Sequence, residues 1–191
     1  MSWIVGIDEV GRGPLAGPIT VGVVCIPRTH TWRHYRNLKD SKKLSEKNRD
    51  AWFKNIQKNS EIRYATASVS AATIDKIGIV RAGNLAAERA LKKVGVHPTE
   101  CIVQLDHGLR VAEIWKQSAY IKGDERFPAI ALASICAKVT RDAFMTQMAM
   151  RYPVYLFAEH KGYGTRTHRM LIKKHGLSTL HRKSFCKNVY T

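Results

Sequence analysis

Three acidic positions along the chain could act together: the pair Asp8-Glu9, then Asp106, then Asp124. Each closes or follows a short, largely apolar run, at residues 3–7, 101–105 and 119–121. In open α/β sheets, sites tend to form at strand ends where the topology changes. Carboxylates gathered there repel one another unless a cation neutralises them. Ligands that are all oxygen suit Mg²⁺ or Mn²⁺ rather than zinc or copper. Asp at a strand end is also a common cap or turn residue. That reading fits Asp8-Glu9 less well, because the pair lies between an apolar run and Gly11-Arg12-Gly13 with Arg12 as its only basic neighbour. On residue types alone the chemistry is that of a Mg²⁺-dependent nuclease or phosphotransferase, and it goes no further.

The charge balance selects the partner. Lys and Arg total 32 against 15 Asp and Glu, a formal charge of +17, with a pI near 10.0. Solubility does not require so lopsided a balance; a polyanion does, nucleic acid first and an anionic membrane second. After Glu159 there is no acidic residue, while Lys161, Arg166, Arg169, Lys173, Lys174, Arg182, Lys183 and Lys187 follow, with His160, His168, His175 and His181 among them. This stretch reads as a phosphate-facing surface. No apolar run approaches the 18 or so residues of a membrane span, and the first residues lack the basic start of a signal peptide. Cys25, Cys101, Cys136 and Cys186 form no C-x-x-C pair, so reduced thiols and a cytoplasmic protein are expected.

These groups need a scaffold. Length and a 45% hydrophobic content suit one domain over residues 1–191, with a core to about 150 and a basic helical segment from about 151. Strands are expected at 3–7, 19–26, 62–69, 101–105 and 119–121, the first two as antiparallel neighbours across a Gly/Pro-rich link. Helices are expected after caps at Ser45 and Ser70, over 82–94, and from Pro128 to about Arg151, with Leu132, Ile135, Val139 and Ala143 on the apolar stripe. A β-meander followed by alternating helices and strands makes an α/β sheet flanked by helices.

Residues 6–18, Gly-Ile-Asp-Glu-Val-Gly-Arg-Gly-Pro-Leu-Ala-Gly-Pro, closely resemble ribonuclease HII. Further blocks follow in that family's order: Asp40-Ser41-Lys42-Lys43-Leu44-Ser45, Lys122-Gly123-Asp124, residues 133–142, residues 160–165 with His168, and residues 181–185. Together they span nearly the whole chain. The resemblance implies a ribonuclease H-like fold, a five-stranded mixed sheet with helices on both faces and a helical C-terminal segment. It implies a four-carboxylate site of Asp8, Glu9, Asp106 and Asp124 holding two Mg²⁺ or Mn²⁺ ions, with Asp142 ranked below them and assigned a structural role. It implies cleavage 5′ of a ribonucleotide, leaving 3′-hydroxyl and 5′-phosphate ends, on RNA–DNA hybrids and on duplex DNA carrying single ribonucleotides. Such cleavage serves ribonucleotide excision repair and RNA primer removal. By the same resemblance Gly11, Arg12 and Gly13 approach the nucleic acid, Tyr163 stacks on the sugar at the RNA–DNA junction, and Ser41, Lys42, Lys43, Ser134, Lys138 and Arg182 contact phosphates.

Two departures stand out. His107 separates Asp106 from Gly108 where many relatives have Asp-Gly, which leaves a histidine either near the metals or, the commoner case, exposed in a turn. Residues 77–83 also differ from the usual helix pattern, without touching a ligand. Other readings are a basic nucleic-acid-binding module with an inactive site, and a ribonuclease H of the other type, which needs several consecutive ribonucleotides. Nothing resembles an extended apolar interface, so a monomer is expected. Asn188-Val189-Tyr190-Thr191 lacks the Gln and aromatic pair of a clamp-binding peptide, which leaves a replication clamp unsupported as a partner.

Overall fold

The computed structural model describes residues 3–35, 38 and 44–189. Five strands form one sheet: β1 (Trp3–Val10), β2 (Ile19–Pro27), β3 (Arg63–Val69), β4 (Cys101–Asp106) and β5 (Gln117–Tyr120), in the order β3-β2-β1-β4-β5. β1 pairs antiparallel with β2, and β2 with β3, while β1–β4 and β4–β5 are parallel. The expected five-stranded mixed sheet is therefore present, with the early meander on one side of β1 and the parallel strands on the other.

The period-2 alternation of side chains divides the core in two. Val5, Ile7, Val21, Val23, Val103 and Leu105 pack on one face with α2 (Ala71–Ile77) and α3 (Ile79–Val94). Val24 and Ile26 face the other side, against α1 (Glu46–Lys58) and α5 (Pro128–Arg151). Ser45 and Ser70 cap α1 and α2 as expected, accepting from the amides of Asn48 and Thr73. α3 starts three residues before the expected Ala82, directly after Gly78. β5 is displaced from the expected 119–121. Gln117 is drawn into the strand because its side chain bonds Val111 N and O, whereas Ile121 lies beyond it, 68% exposed.

α5 is buried over a different set from the expected stripe: Ala129, Ala131, Ala133, Cys136 and Ala137 are fully covered along with Leu132 and Ile135, whereas Val139 is half-buried and Ala143 exposed. The small residues let its backbone lie directly on the sheet at Gly6 and Gly22, where an added Cβ would fall 2.0 Å from Ala129 C and 2.2 Å from Ala133 O. A short helix, α4 (Gly123–Arg126), precedes α5, and after Arg151 the chain forms the short α6 (Phe157–His160), the helix α7 (Arg166–His175) and 3-10 turns. The last segment returns to residues 15–17 through an Ala16–His181 bridge. The four cysteines are buried and unpaired. Among the described residues no helix is long and apolar enough to cross a membrane.

Candidate functional site

Parallel pairing of β1 with β4, in the register Ile7–Leu105, brings Asp8, which lies within β1 and not at its end as expected, beside Asp106, the last residue of β4. Asp8 and Asp106 each follow a residue of the α3-side core, so alternation turns both toward α5. One carboxylate oxygen from each of Asp8, Glu9 and Asp106 lies within 4.8 Å of the other two. Asp8 is buried and accepts the Glu9 amide at 2.8 Å. Asp106 Oδ1 accepts the Gly123 amide at 3.0 Å. Arg12 Nη1 donates to Glu9 Oε1 at 3.0 Å, whereas Glu9 Oε2 is buried with no hydrogen-bond partner among the described residues. Asp124 is buried in the first turn of α4, one residue beyond the amide that holds Asp106, and is not one of the three clustered acids.

The cluster is electrostatically unsatisfied. Burial, with the Glu9 charge beside it, pushes the Asp8 carboxyl well above the usual carboxylate range, against a lowering side-chain hydrogen bond from Ser134. Burial also raises Glu9, opposed by Arg12. A buried carboxylate oxygen without a donor, beside two further acids, is the pattern a hard cation completes. The donor set therefore fits Mg²⁺ or Mn²⁺.

The acids lie in a cleft of about 360 Å³ that also takes in Gly11, Arg12, Gly13, Ser134, Lys138 and Tyr163. Six of the expected substrate residues are thus gathered at one place. Ser134 and Lys138 are four apart on α5 and share a face. Asp142, one turn further, pairs with the Lys138 ammonium at 2.9 Å and is not among the clustered acids. Tyr163 is 41% exposed, with the Arg141 guanidinium 5.7 Å from its ring centre. Ser41, Lys42 and Lys43 lie outside the described residues. His107 is exposed and does not line the cleft. The glycine that matters is Gly108 (φ +94°), where a Cβ would lie 2.4 Å from Arg12 Nη1.

Arg182 departs from its expected role. It is fully buried, and its guanidinium donates to the carbonyls of Gly17, Arg12 and Gly11, so it faces the loop from inside instead of facing a phosphate. The C-terminal histidines likewise are not all on the basic surface. His168 and His181 are buried and His160 is half-buried; only His175 of the four is exposed. His168 Nδ1 meets the Tyr163 carbonyl at 2.9 Å and must donate to it, so His168 Nε2 accepts from His181 Nε2 at 3.1 Å. Burial lowers both histidines to about 4, which keeps the pair neutral. Sequence reasoning missed Arg49, a cleft residue from α1 whose guanidinium donates to the Leu44 carbonyl. α1 is polar almost throughout, and nothing in its pattern singles Arg49 out.

Residues 5–188 match the model of the family described as Ribonuclease HII. A Ribonuclease HII of Caldicellulosiruptor saccharolyticus is 45% identical over 188 residues, covering 98% of this chain and 88% of that protein. One from Fusobacterium nucleatum is 42% identical over 190 residues, covering 97% and 86%. Among solved structures, the ribonuclease H2 of Pyrococcus horikoshii OT3 superposes with a TM-score of 0.78 at 23% identity, covering 98% of this chain and 96% of that one. A Bst ribonuclease HIII solved with Mn²⁺ superposes with a TM-score of 0.74 at 17% identity, covering 99% and 69%, and supports the fold alone.

Proposed function

The chain belongs to the ribonuclease HII family, with its ribonuclease H-like fold and its hydrolysis of RNA strands in RNA–DNA hybrids, and from that premise we propose that it also incises duplex DNA on the 5′ side of a single embedded ribonucleotide. The observation that carries the reading is the buried Glu9 Oε2, which has no hydrogen-bond partner among the described residues, within a cluster of three acids lining a cleft with Gly11-Arg12-Gly13 and Tyr163.

Asp8, Glu9 and Asp106 would hold the metal, with Asp124 as the fourth acid and Mg²⁺ or Mn²⁺ as the ion. Two such ions, when bound, would polarise the scissile phosphate and make a water acidic enough to lose a proton, so that its oxygen bonds to phosphorus as the 3′-oxygen leaves, giving 3′-hydroxyl and 5′-phosphate ends. The protein's own groups orient the substrate. The Gly11-Arg12-Gly13 backbone approaches closely because glycine adds no side chain. Lys138, steered by Asp142, supplies positive charge at the phosphates. Tyr163, seated on His168, offers a ring to the sugar at the RNA–DNA junction, where the 2′-hydroxyl distinguishes RNA from DNA. The role is removal of ribonucleotides left in DNA and of RNA primers.

The test uses a DNA duplex with one ribonucleotide, the all-DNA duplex and a long hybrid, each with Mg²⁺ or Mn²⁺. The expected result is a single cut 5′ of the lone ribonucleotide, cleavage of the hybrid, and an intact all-DNA duplex. Cleavage only where four or so ribonucleotides are consecutive would assign the chain to the other type of ribonuclease H. Binding without cleavage of any substrate would leave a binding module.

A further inference from the structure

Two arginines lie fully buried beneath the loop that edges the cleft, and neither forms an ion pair among the described residues. Arg182 donates from Nε to Gly17 O (2.9 Å), from Nη1 to Arg12 O (2.9 Å) and from Nη2 to Gly11 O (2.6 Å). Arg141 donates from Nε to Pro18 O (2.9 Å), from Nη2 to Ala16 O (3.2 Å) and from Nη1 to Lys161 O (3.0 Å). Burying a charge with no counter-charge is costly, and here the compensation comes from carbonyl dipoles. Burial, and then the Arg141 charge, bring Arg182 down to about 9, so it remains a cation at neutral pH.

The direction of these bonds has a geometric consequence. Across a planar trans peptide, the carbonyl and the following amide point opposite ways. With Gly11 O and Arg12 O drawn inward by Arg182, the amides of Arg12 and Gly13 point away from it, and both residues line the cleft. Neither amide donates to another group among the described residues. Two successive outward amides can donate to an oxygen of the nucleic acid, and the 2′-hydroxyl is the oxygen that RNA carries and DNA lacks.

We infer that Arg182 is a positioning residue: from inside the protein it turns the Arg12 and Gly13 amides toward the nucleic acid, and so governs ribonucleotide selection without touching substrate. Its own place is held from the far side. Asp75, on α2 and outside the cleft, accepts from Lys183 N at 2.8 Å and Ser184 N at 3.0 Å, the residues directly after Arg182. Lysine at 182 would keep the charge but has one nitrogen where three carbonyls need donors.

The inference rests on the function proposed above, and the test separates the two. Binding to a duplex with one ribonucleotide and to the identical all-DNA duplex is measured in EDTA, so that neither is cut. Wild type is expected to prefer the ribonucleotide duplex. Arg182→Lys is expected to lower that preference about tenfold while its all-DNA affinity, set by charge, is unchanged. Asp75→Asn is expected to lower the preference in the same direction, and it decides the matter if Arg182→Lys does not fold. Preference retained in the folded variant, or both affinities falling together, overturns the inference alone. A wild type with no preference overturns it together with the proposed selectivity.

Discussion

Asp8→Asn is expected to reduce cleavage of every substrate by at least about 10³-fold, since metal activation of water and phosphate supplies several kcal/mol of barrier reduction. The same change is expected to stabilise the metal-free protein. Burial and the adjacent Glu9 charge hold the Asp8 carboxyl above its unfolded value. The folded chain therefore binds more protons than the unfolded chain between those two values. Stability is full below the unfolded value and falls as pH rises toward the folded one, so at neutral pH the metal-free protein carries the penalty. Asparagine removes the charge at nearly constant shape. A gain of even about 1 kcal/mol raises Tm by roughly 2–4 °C in a chain of this size. Melting in EDTA and steady-state cleavage check the two halves, and a variant both inactive and less stable than wild type would refute the electrostatic account of the site.

Gly6→Ala is expected to be among the most damaging small changes in the core. Its Cβ would sit 2.0 Å from Ala129 C and 2.3 Å from Ile130 N, backbone atoms of α5 that no rotamer change can move aside. Overpacking typically costs about 1–3 kcal/mol, and more when backbone must shift, so a Tm drop of roughly 6 °C or more is expected. The displacement also reaches the site, because Ser134 and Lys138 ride on the same helix that Gly6 seats against Asp8. Gly13→Ala is the stability control, since its Cβ would meet nothing within 4 Å. Equal losses in the two variants would show that the close approach of α5 to β1 is not what limits packing.

What the sequence made legible was mostly what depends on local pattern. The apolar run ending at Asp8, the caps at Ser45 and Ser70, and the long helix from Pro128 appear where expected. Asp106 closes β4 as expected, whereas β1 runs on through Asp8 and Glu9 to Val10; it is the parallel pairing of the two strands that brings Asp8 and Asp106 together. Burial of charge is not written in residue type. Arg182 and the histidines read as surface cations, whereas packing buries Arg182 under the Gly11-Arg12-Gly13 loop and His168 and His181 against each other, with His168 bonded to the Tyr163 carbonyl. The Gln117 side-chain bonds that draw β5 forward, and the fold of α1 that carries Arg49 into the cleft, depend on tertiary contacts with no one-dimensional signature.

The central claim, that Asp8, Glu9 and Asp106 form a divalent-metal site, is tested most directly by melting wild type and Asp8→Asn across a Mn²⁺ titration from EDTA. A ligand that binds only the folded state raises stability with its concentration, by about 2.7 kcal/mol at a hundredfold excess over Kd. Wild type should melt progressively higher as Mn²⁺ rises, and Asp8→Asn should stay nearly flat. A flat wild type, or the same rise in both proteins, would contradict the claim.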